Sequence, residues 1–216
     1  MDKLTLAGIS NAGSARKVFM SGELKTLIVS ASHRPGAESL RVANAMNEHY
    51  LDGAASILDL YETALPIWDG ATAASESVEK AASLATEADA LIFVIPEWHG
   101  MVPAGLKNLL LWLGAGHLAH KPVLLVGVSA SVGGAFVIAE MRSSGYKNSR
   151  LVFTPEHLIL RGVGDLWQDG EGSESVRYLS ERSRFAIDQL LIYAGALKSV
   201  RGQLEEGMSD YANGMS

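Results

Sequence analysis

Five short apolar runs alternate with segments long enough for helices, and this alternation constrains the fold more than any other feature of the chain. The runs are Leu24–Ser30, Ser56–Leu60, Ala90–Ile95 and Val123–Val128, with a weaker fifth around Leu158–Leu160. Between them lie Ser39–Leu51, Ala74–Ala85, Pro103–Gly114 and Gly134–Tyr146, and Glu174–Lys198 comes last. Runs without polar alternation are buried on both faces, and parallel strands reach that state only when helices cover both sides of the sheet. The pattern predicts a three-layer α/β/α sandwich around a five-stranded parallel sheet.

The final helix shows its period in Val176, Leu179, Ser183, Ala186, Leu190, Ala194 and Leu197, at steps of three and four, so one face packs inward. The segment after Pro103 differs. Leu106, Leu109, Leu110 and Leu113 form one stripe, while Leu111 and Trp112 add apolar surface elsewhere on the cylinder. A second apolar face predicts a subunit contact, and with it a homodimer or homotetramer.

With 216 residues, 48% of them hydrophobic and 19% charged, the chain can bury one full sheet in one soluble domain. That domain is expected over residues 23–200, after an irregular extension at 1–22 and before a polar tail at 201–216. Met20 precedes the first strand closely enough to serve as a second translation start. A formal net charge of -6 without any basic run argues against nucleic-acid and anionic-membrane partners. The most apolar region, Val123 to Ala139, is interrupted by Ser129, Ser131, Gly133 and Gly134 and falls short of a membrane span. Asp2 beside Lys3, without a sustained apolar stretch, does not read as a secretory signal, so a cytoplasmic location is expected. There is no cysteine, which removes disulfides, thiolate metal sites and thiol nucleophiles together. A redox role for such a chain requires a bound cofactor.

Three loops carry the chemistry. After the first run, Ser30-Ala31-Ser32-His33-Arg34-Pro35-Gly36-Ala37-Glu38-Ser39 leads into an amphipathic helix. Hydroxyls, a guanidinium and the free N–H groups of a helix start suit a phosphate; ordinary turn and capping chemistry explains the same residues without a ligand. After the third run comes Pro96-Glu97-Trp98-His99-Gly100-Met101-Val102-Pro103-Ala104-Gly105-Leu106-Lys107-Asn108, a sharp turn followed by a helix that opens at a proline. After the fourth run, Ser129-Ala130-Ser131-Val132-Gly133-Gly134 joins strand to helix through small residues.

Taken together these loops resemble the NAD(P)H-dependent FMN reductase family, which includes quinone, azo and chromate reductases. The first resembles its FMN phosphate loop, with Ser32, Arg34 and Ser39 in matching positions. Ala37 stands where the family often has another Ser, so the backbone N–H groups of Ala37, Glu38 and Ser39 would contribute more. The second resembles the family's ring-binding segment, with Trp98 in its aromatic position and Leu106-Lys107-Asn108 and Trp112 also matching; Leu111 replaces the usual acid. Pro96, Glu97, Trp98, His99, Gly100 and Met101 would set the flavin ring. Ser129, Ser131 and Gly133 would line its other edge, with Met141-Arg142 following downstream. The resemblance spans roughly Leu24 to Leu197 and implies a flavodoxin-like fold of strand order 2-1-3-4-5, whose crevice opens between the first and third strands. It implies FMN as cofactor, NAD(P)H as hydride donor, and a small-molecule acceptor such as a quinone, azo compound, metal oxyanion or free flavin. No catalytic side chain is demanded, because the flavin carries the chemistry.

Two other classes stand beside this reading. A non-enzymatic flavodoxin-like electron carrier would use a similar fold. Gly127-Val128-Ser129-Ala130-Ser131 nearly spells the nucleophile elbow of serine hydrolases, with His157 and Glu140 or Glu156 as the remaining triad candidates. His117 and His120 lie near a loop without a third ligand beside them, and no Gly-x-Gly-x-x-Gly fingerprint follows a strand.

Overall fold

A computed structural model of the chain describes residues 24–70, 75–167 and 173–212. The expected extension at 1–22, the second start at Met20, and Ala74 as a helix start lie outside the described residues. Five strands, β1 (Thr26–Ser30), β2 (Ser56–Asp59), β3 (Ala90–Pro96), β4 (Pro122–Ser129) and β5 (Val152–Arg161), form one sheet of order β2-β1-β3-β4-β5, every pairing parallel. The helices are α1 (Glu38–Leu51), the single turn α2 (Leu60–Thr63), α3 (Glu76–Glu87), α4 (Ala104–Leu118), α5 (Ala135–Ser143) and α6 (Glu174–Glu205). This is the flavodoxin-like sandwich that the apolar runs and the loop resemblance imply.

Side-chain alternation along each strand separates two cores. Leu27, Val29, Leu91, Phe93, Ile95, Val123 and Leu125 face α3, α4 and α5, while Ile28, Ile92, Val94, Leu124 and Val126 face α1 and α6. Because both sets are fully buried, β1, β3 and β4 read as unbroken apolar runs in the sequence. β5 is longer than Leu158–Leu160 suggested. Its first half carries Thr154, Pro155, Glu156 and His157 on an edge strand, and its register against β4 shifts between Val123 and Leu125.

α6 runs seven residues past Lys198, and its C-terminal part is tied to the sheet: Lys198 Nζ lies 2.7 Å from Asp89, and Arg201 also reaches that carboxylate. Beyond it, the Tyr211 carbonyl accepts a hydrogen bond from Arg150 at 2.7 Å. α4 contains one residue outside helical geometry, Gly114 at φ 53° and ψ -166°, a conformation open essentially only to glycine. Among the described residues no helix is long and apolar enough to cross a membrane.

Candidate active site

Strand ends on one edge of the sheet bring the three loops together. The order in which strands are added to the sheet reverses between β1 and β3, and in parallel α/β sheets the ligand crevice lies beyond the strand C-termini at such a point. A cleft of about 490 Å³ opens there. Ser32, His33 and Arg34 line it from the β1–α1 loop, and Trp98, Met101 and Pro103 from the β3–α4 loop.

The β1–α1 loop is shaped by Ser32, whose buried hydroxyl accepts from the Arg34 amide at 3.3 Å. The N-cap of α1 is Ala37, which has no side chain able to cap it, and among the described residues no other side chain does so. The first N–H groups and the positive end of the dipole thus lie at the end of the loop that lines the cleft, while Ala37, Glu38 and Ser39 are not themselves among the residues lining it. Glu38 is engaged by Arg41 at 2.8 Å, and Arg41 in turn donates to the carbonyls of Leu166 and Val163. Ser39 is completely buried and its hydroxyl pairs with that of Ser30 at 3.2 Å, so its backbone N–H, rather than its side chain, faces the helix start. His33 lies against the first turn of α4, within 3.5 Å of where a Cβ on Gly105 would stand.

The β3–α4 loop is a tight turn. The Met101 amide donates to the Trp98 carbonyl at 2.9 Å, with His99 at φ 52° and Gly100 at φ 73°, the paired positive φ of a type I′ turn. Glycine is favoured at the second of these positions. His99 occupies the left-handed region without that freedom, a strained state of the kind that clusters at functional sites. Trp98 is 47% exposed, and the Arg34 guanidinium lies over its ring, 4.7 Å from the centroid.

Glu97 has a role the sequence did not suggest. Its amide donates to the Val128 carbonyl at 3.0 Å, and its carboxylate accepts from the amides of Gly134 at 2.8 Å and Phe136 at 3.0 Å. A carboxylate from the second loop thus caps α5 and fixes the third loop. Gly133 passes so close that a Cβ there would stand 2.7 Å from the Glu97 carboxylate and 3.2 Å from the Ser129 hydroxyl. Ser129 accepts from the Ser131 amide at 3.2 Å, and Arg161 donates to the Gly133 carbonyl at 3.0 Å. Ser131 and Gly133 are thereby held in a loop packed against Glu97, and neither they nor Ser129 are among the residues that line the cleft.

The matching residues on α4 act as clasps. Asn108 accepts from the Trp68 amide at 2.8 Å and donates to the Pro66 carbonyl at 2.9 Å, while Trp112 donates to the same carbonyl at 2.8 Å. Lys107 reaches Ser144 at 2.5 Å and Glu140 at 3.2 Å, and Glu140 accepts from the Val102 amide at 2.8 Å. Arg142 donates to the carbonyls of Thr154 and Pro155, away from the cleft. No local signal in the sequence marks these partners, which for Asn108, Trp112, Lys107 and Glu140 with Val102 lie 33 to 46 residues apart and for Arg142 12 and 13.

The hydrolase alternative fails on geometry. Ser129 pairs with Arg161 across β4 and β5, whereas His157 pairs with Leu125, four residues and about 13 Å back along the strands. Glu156 is engaged by Arg182, and Glu140 by Lys107 and the Val102 amide. His117 contacts the Thr86 hydroxyl at 2.8 Å, and burial pushes its pKa down, with the Lys121 charge adding to the effect. Among the described residues no group of three or more His, Asp or Glu side chains is placed to hold a metal ion.

Comparison with known proteins agrees with this geometry. An NADPH azoreductase from Bacillus sp. (strain OY1-2) is 27% identical over 187 residues, which cover 84% of this chain and 98% of the relative. An oxidoreductase structure from Corynebacterium diphtheriae superposes with a TM-score of 0.67 at 15% identity, over 81% of this chain and 98% of that one. A flavoenzyme NAD(P)H:(acceptor) oxidoreductase from Paracoccus denitrificans gives 0.62 at 20% identity, over 81% and 98%. The profile of the NADPH-dependent FMN reductases matches residues 24–163, the span that runs from the start of β1 to the end of β5 and holds all three loops, and the chain belongs to that family.

Proposed function

We propose that the chain binds FMN across the crevice between β1 and β3 and passes electrons from NAD(P)H to a small-molecule acceptor: a quinone, azo compound, metal oxyanion or free flavin. The observation that carries this reading is a donor set suited to a phosphate monoester at one end of a cleft whose other walls are largely apolar. The Ser32 hydroxyl and the Arg34 guanidinium line that end of the cleft, and the uncapped start of α1 follows in the same loop; together they supply hydrogen-bond donors and positive charge without a carboxylate ligand among the lining residues. Likeness to the Bacillus NADPH azoreductase supports azo compounds as one acceptor class.

When bound, FMN supplies a ring that takes hydride from a nicotinamide and releases electrons to an acceptor. Side chains and backbone then bind and orient. Ser32, Arg34 and the N–H groups of Ala37, Glu38 and Ser39 hold the phosphate. The turn from Pro96 to Met101 presents backbone donors and acceptors to the polar edge of the ring, and Ser129, Ser131 and Gly133 border the opposite side. Glu97 keeps those two loops at a fixed separation. Leu111, 55% exposed on α4, and Ile67, 87% exposed on the segment clasped by Asn108 and Trp112, offer apolar side chains to a second subunit.

The test is the visible spectrum of the purified protein with and without added FMN, followed by NADPH under anaerobic conditions. Bleaching of the bound flavin by NADPH alone is expected. Failure to take up FMN would overturn the site, and bleaching that requires a separate reductase would instead support the electron-carrier alternative.

A further inference from the structure

We infer that Trp98 is a positioning residue for the phosphate-binding arginine rather than a wall of the ring site; this rests on the FMN reading above. The indole comes from the β3–α4 turn and the guanidinium from the β1–α1 loop, so the cation–π contact, with the Arg34 Cζ 4.7 Å from the ring centroid, joins the two loops that line the crevice. Among the described residues the Arg34 guanidinium has no hydrogen-bond or ion-pair partner, and the face of Trp98 is what it rests on. His33, the neighbouring side chain in the loop, lies against α4 at Gly105 instead.

An arginine over an aromatic face keeps its N–H groups available, because stacking occupies the π surface and leaves the planar donor edge outward. A free arginine side chain samples many rotamers. Holding the side chain in advance reduces what phosphate binding must spend on ordering it. The type I′ turn fixes the indole for this task, since the Trp98–Met101 pairing sets where its backbone leaves the strand. Trp98 thus acts on the phosphate through Arg34, and its effect should depend on both the phosphate and the arginine.

Equilibrium titrations of the full chain with FMN and with riboflavin, the latter by displacement of FMN where direct binding is weak, separate the phosphate contribution from that of the ring. Trp98→Ala should weaken FMN roughly two- to fivefold, the equivalent of an accessible cation–π pair of about 0.5–1 kcal/mol at 1.4 kcal/mol per decade, and leave riboflavin unchanged. Trp98→Phe should recover most of the loss, and it also serves as the test should the alanine variant not fold. In an Arg34→Ala background the Trp98 substitution should have no further effect on the FMN-to-riboflavin ratio. Equal weakening of both flavins would make Trp98 a ring contact, overturning this inference while the FMN site stands. An unchanged ratio, or a loss that persists without Arg34, would overturn it as well. Absence of FMN binding by the unsubstituted protein would bring down the underlying reading itself.

Discussion

Removing the Glu97 carboxylate should loosen the third loop, and the size of the effect can be worked from its two hydrogen bonds. The carboxylate accepts from Gly134 N at 2.8 Å and Phe136 N at 3.0 Å, the donors that α5 leaves unpaired at its start. A hydrogen bond to a charged group contributes about 1.5–3 kcal/mol when buried, and an N-cap replaced by alanine typically costs about 1 kcal/mol. Glu97 is only half-buried and water can reach the Phe136 amide, so Glu97→Ala should cost about 2 kcal/mol. Glu97→Gln retains an acceptor oxygen but loses the charge facing the helix dipole, and should cost about 1 kcal/mol. With a urea m value of about 2 kcal/mol per molar, the alanine variant would unfold at a midpoint roughly 1 M lower. Urea titrations of both variants provide the measurement, and flavin titration should show weaker FMN binding in the same order. If both variants unfold within about 0.3 kcal/mol of the unsubstituted protein, the cap does not hold the loop and the reasoning fails.

Three further outcomes are expected. Arg34→Ala should weaken FMN on the order of 10- to 100-fold, the value of a charge-assisted contact of about 1.5–3 kcal/mol, without shifting the absorption maximum of the bound flavin; fluorescence titration and difference spectra test both parts. Gly127→Ala would place a Cβ 2.3 Å from the Gly134 carbonyl oxygen, so β4 or the third loop must move, with a loss of about 1–3 kcal/mol in chemical denaturation and weaker flavin binding. Lys121 is buried with its ammonium against the carbonyls of Ala85 at 2.5 Å and Thr86 at 2.8 Å, and burial, reinforced by the Arg201 charge, pushes its pKa down to about 8. Between pH 8 and 10.5 the unfolded chain binds the extra proton, so stability relative to Lys121→Met should rise with pH, by on the order of 1–3 kcal/mol across the window; a flat or falling difference in urea titrations would contradict it.

What the sequence made legible followed from local pattern. β1, β3 and β4 are buried on both faces, so their apolar runs stand out, whereas β5 hides its first half in polar residues whose partners are distant: the Thr154 hydroxyl, fully buried, donates to the Val123 carbonyl at 3.2 Å. The β1–α1 loop was readable because helix starts and a nearby arginine lie within ten residues of one another. The inward turn of the Ser39 side chain was not read, although Ser39 shares one helical face with Val42, Ala43 and Met46 and all four are buried; a match to a phosphate-loop position gave it a ligand role instead. The role of Glu97 was not readable, because its donors lie 37 and 39 residues downstream in a different loop.

This division has a physical origin that bears on how such sites are built. Each loop's own residues decide its turn: Gly100 and His99 give paired positive φ, and the Ser32 hydroxyl folds the segment before Arg34. No turn type fixes the distance between two loops, and a shallow cleft that must accept a donor and then an acceptor depends on that distance. The spacing is set by contacts that cross from one loop or helix to another: Glu97 to Gly134, Glu140 to Val102, and Asn108 with Trp112 to Pro66. Asn108 and Trp112 are four residues apart on one face of α4 and converge on a single carbonyl, so the same helix that opens after the β3–α4 turn also sets the position of Pro66 in the segment that follows α2. A substitution in a turn should therefore alter one edge of the site, while a substitution in a crossing contact should alter the separation of two edges and weaken phosphate and ring binding together.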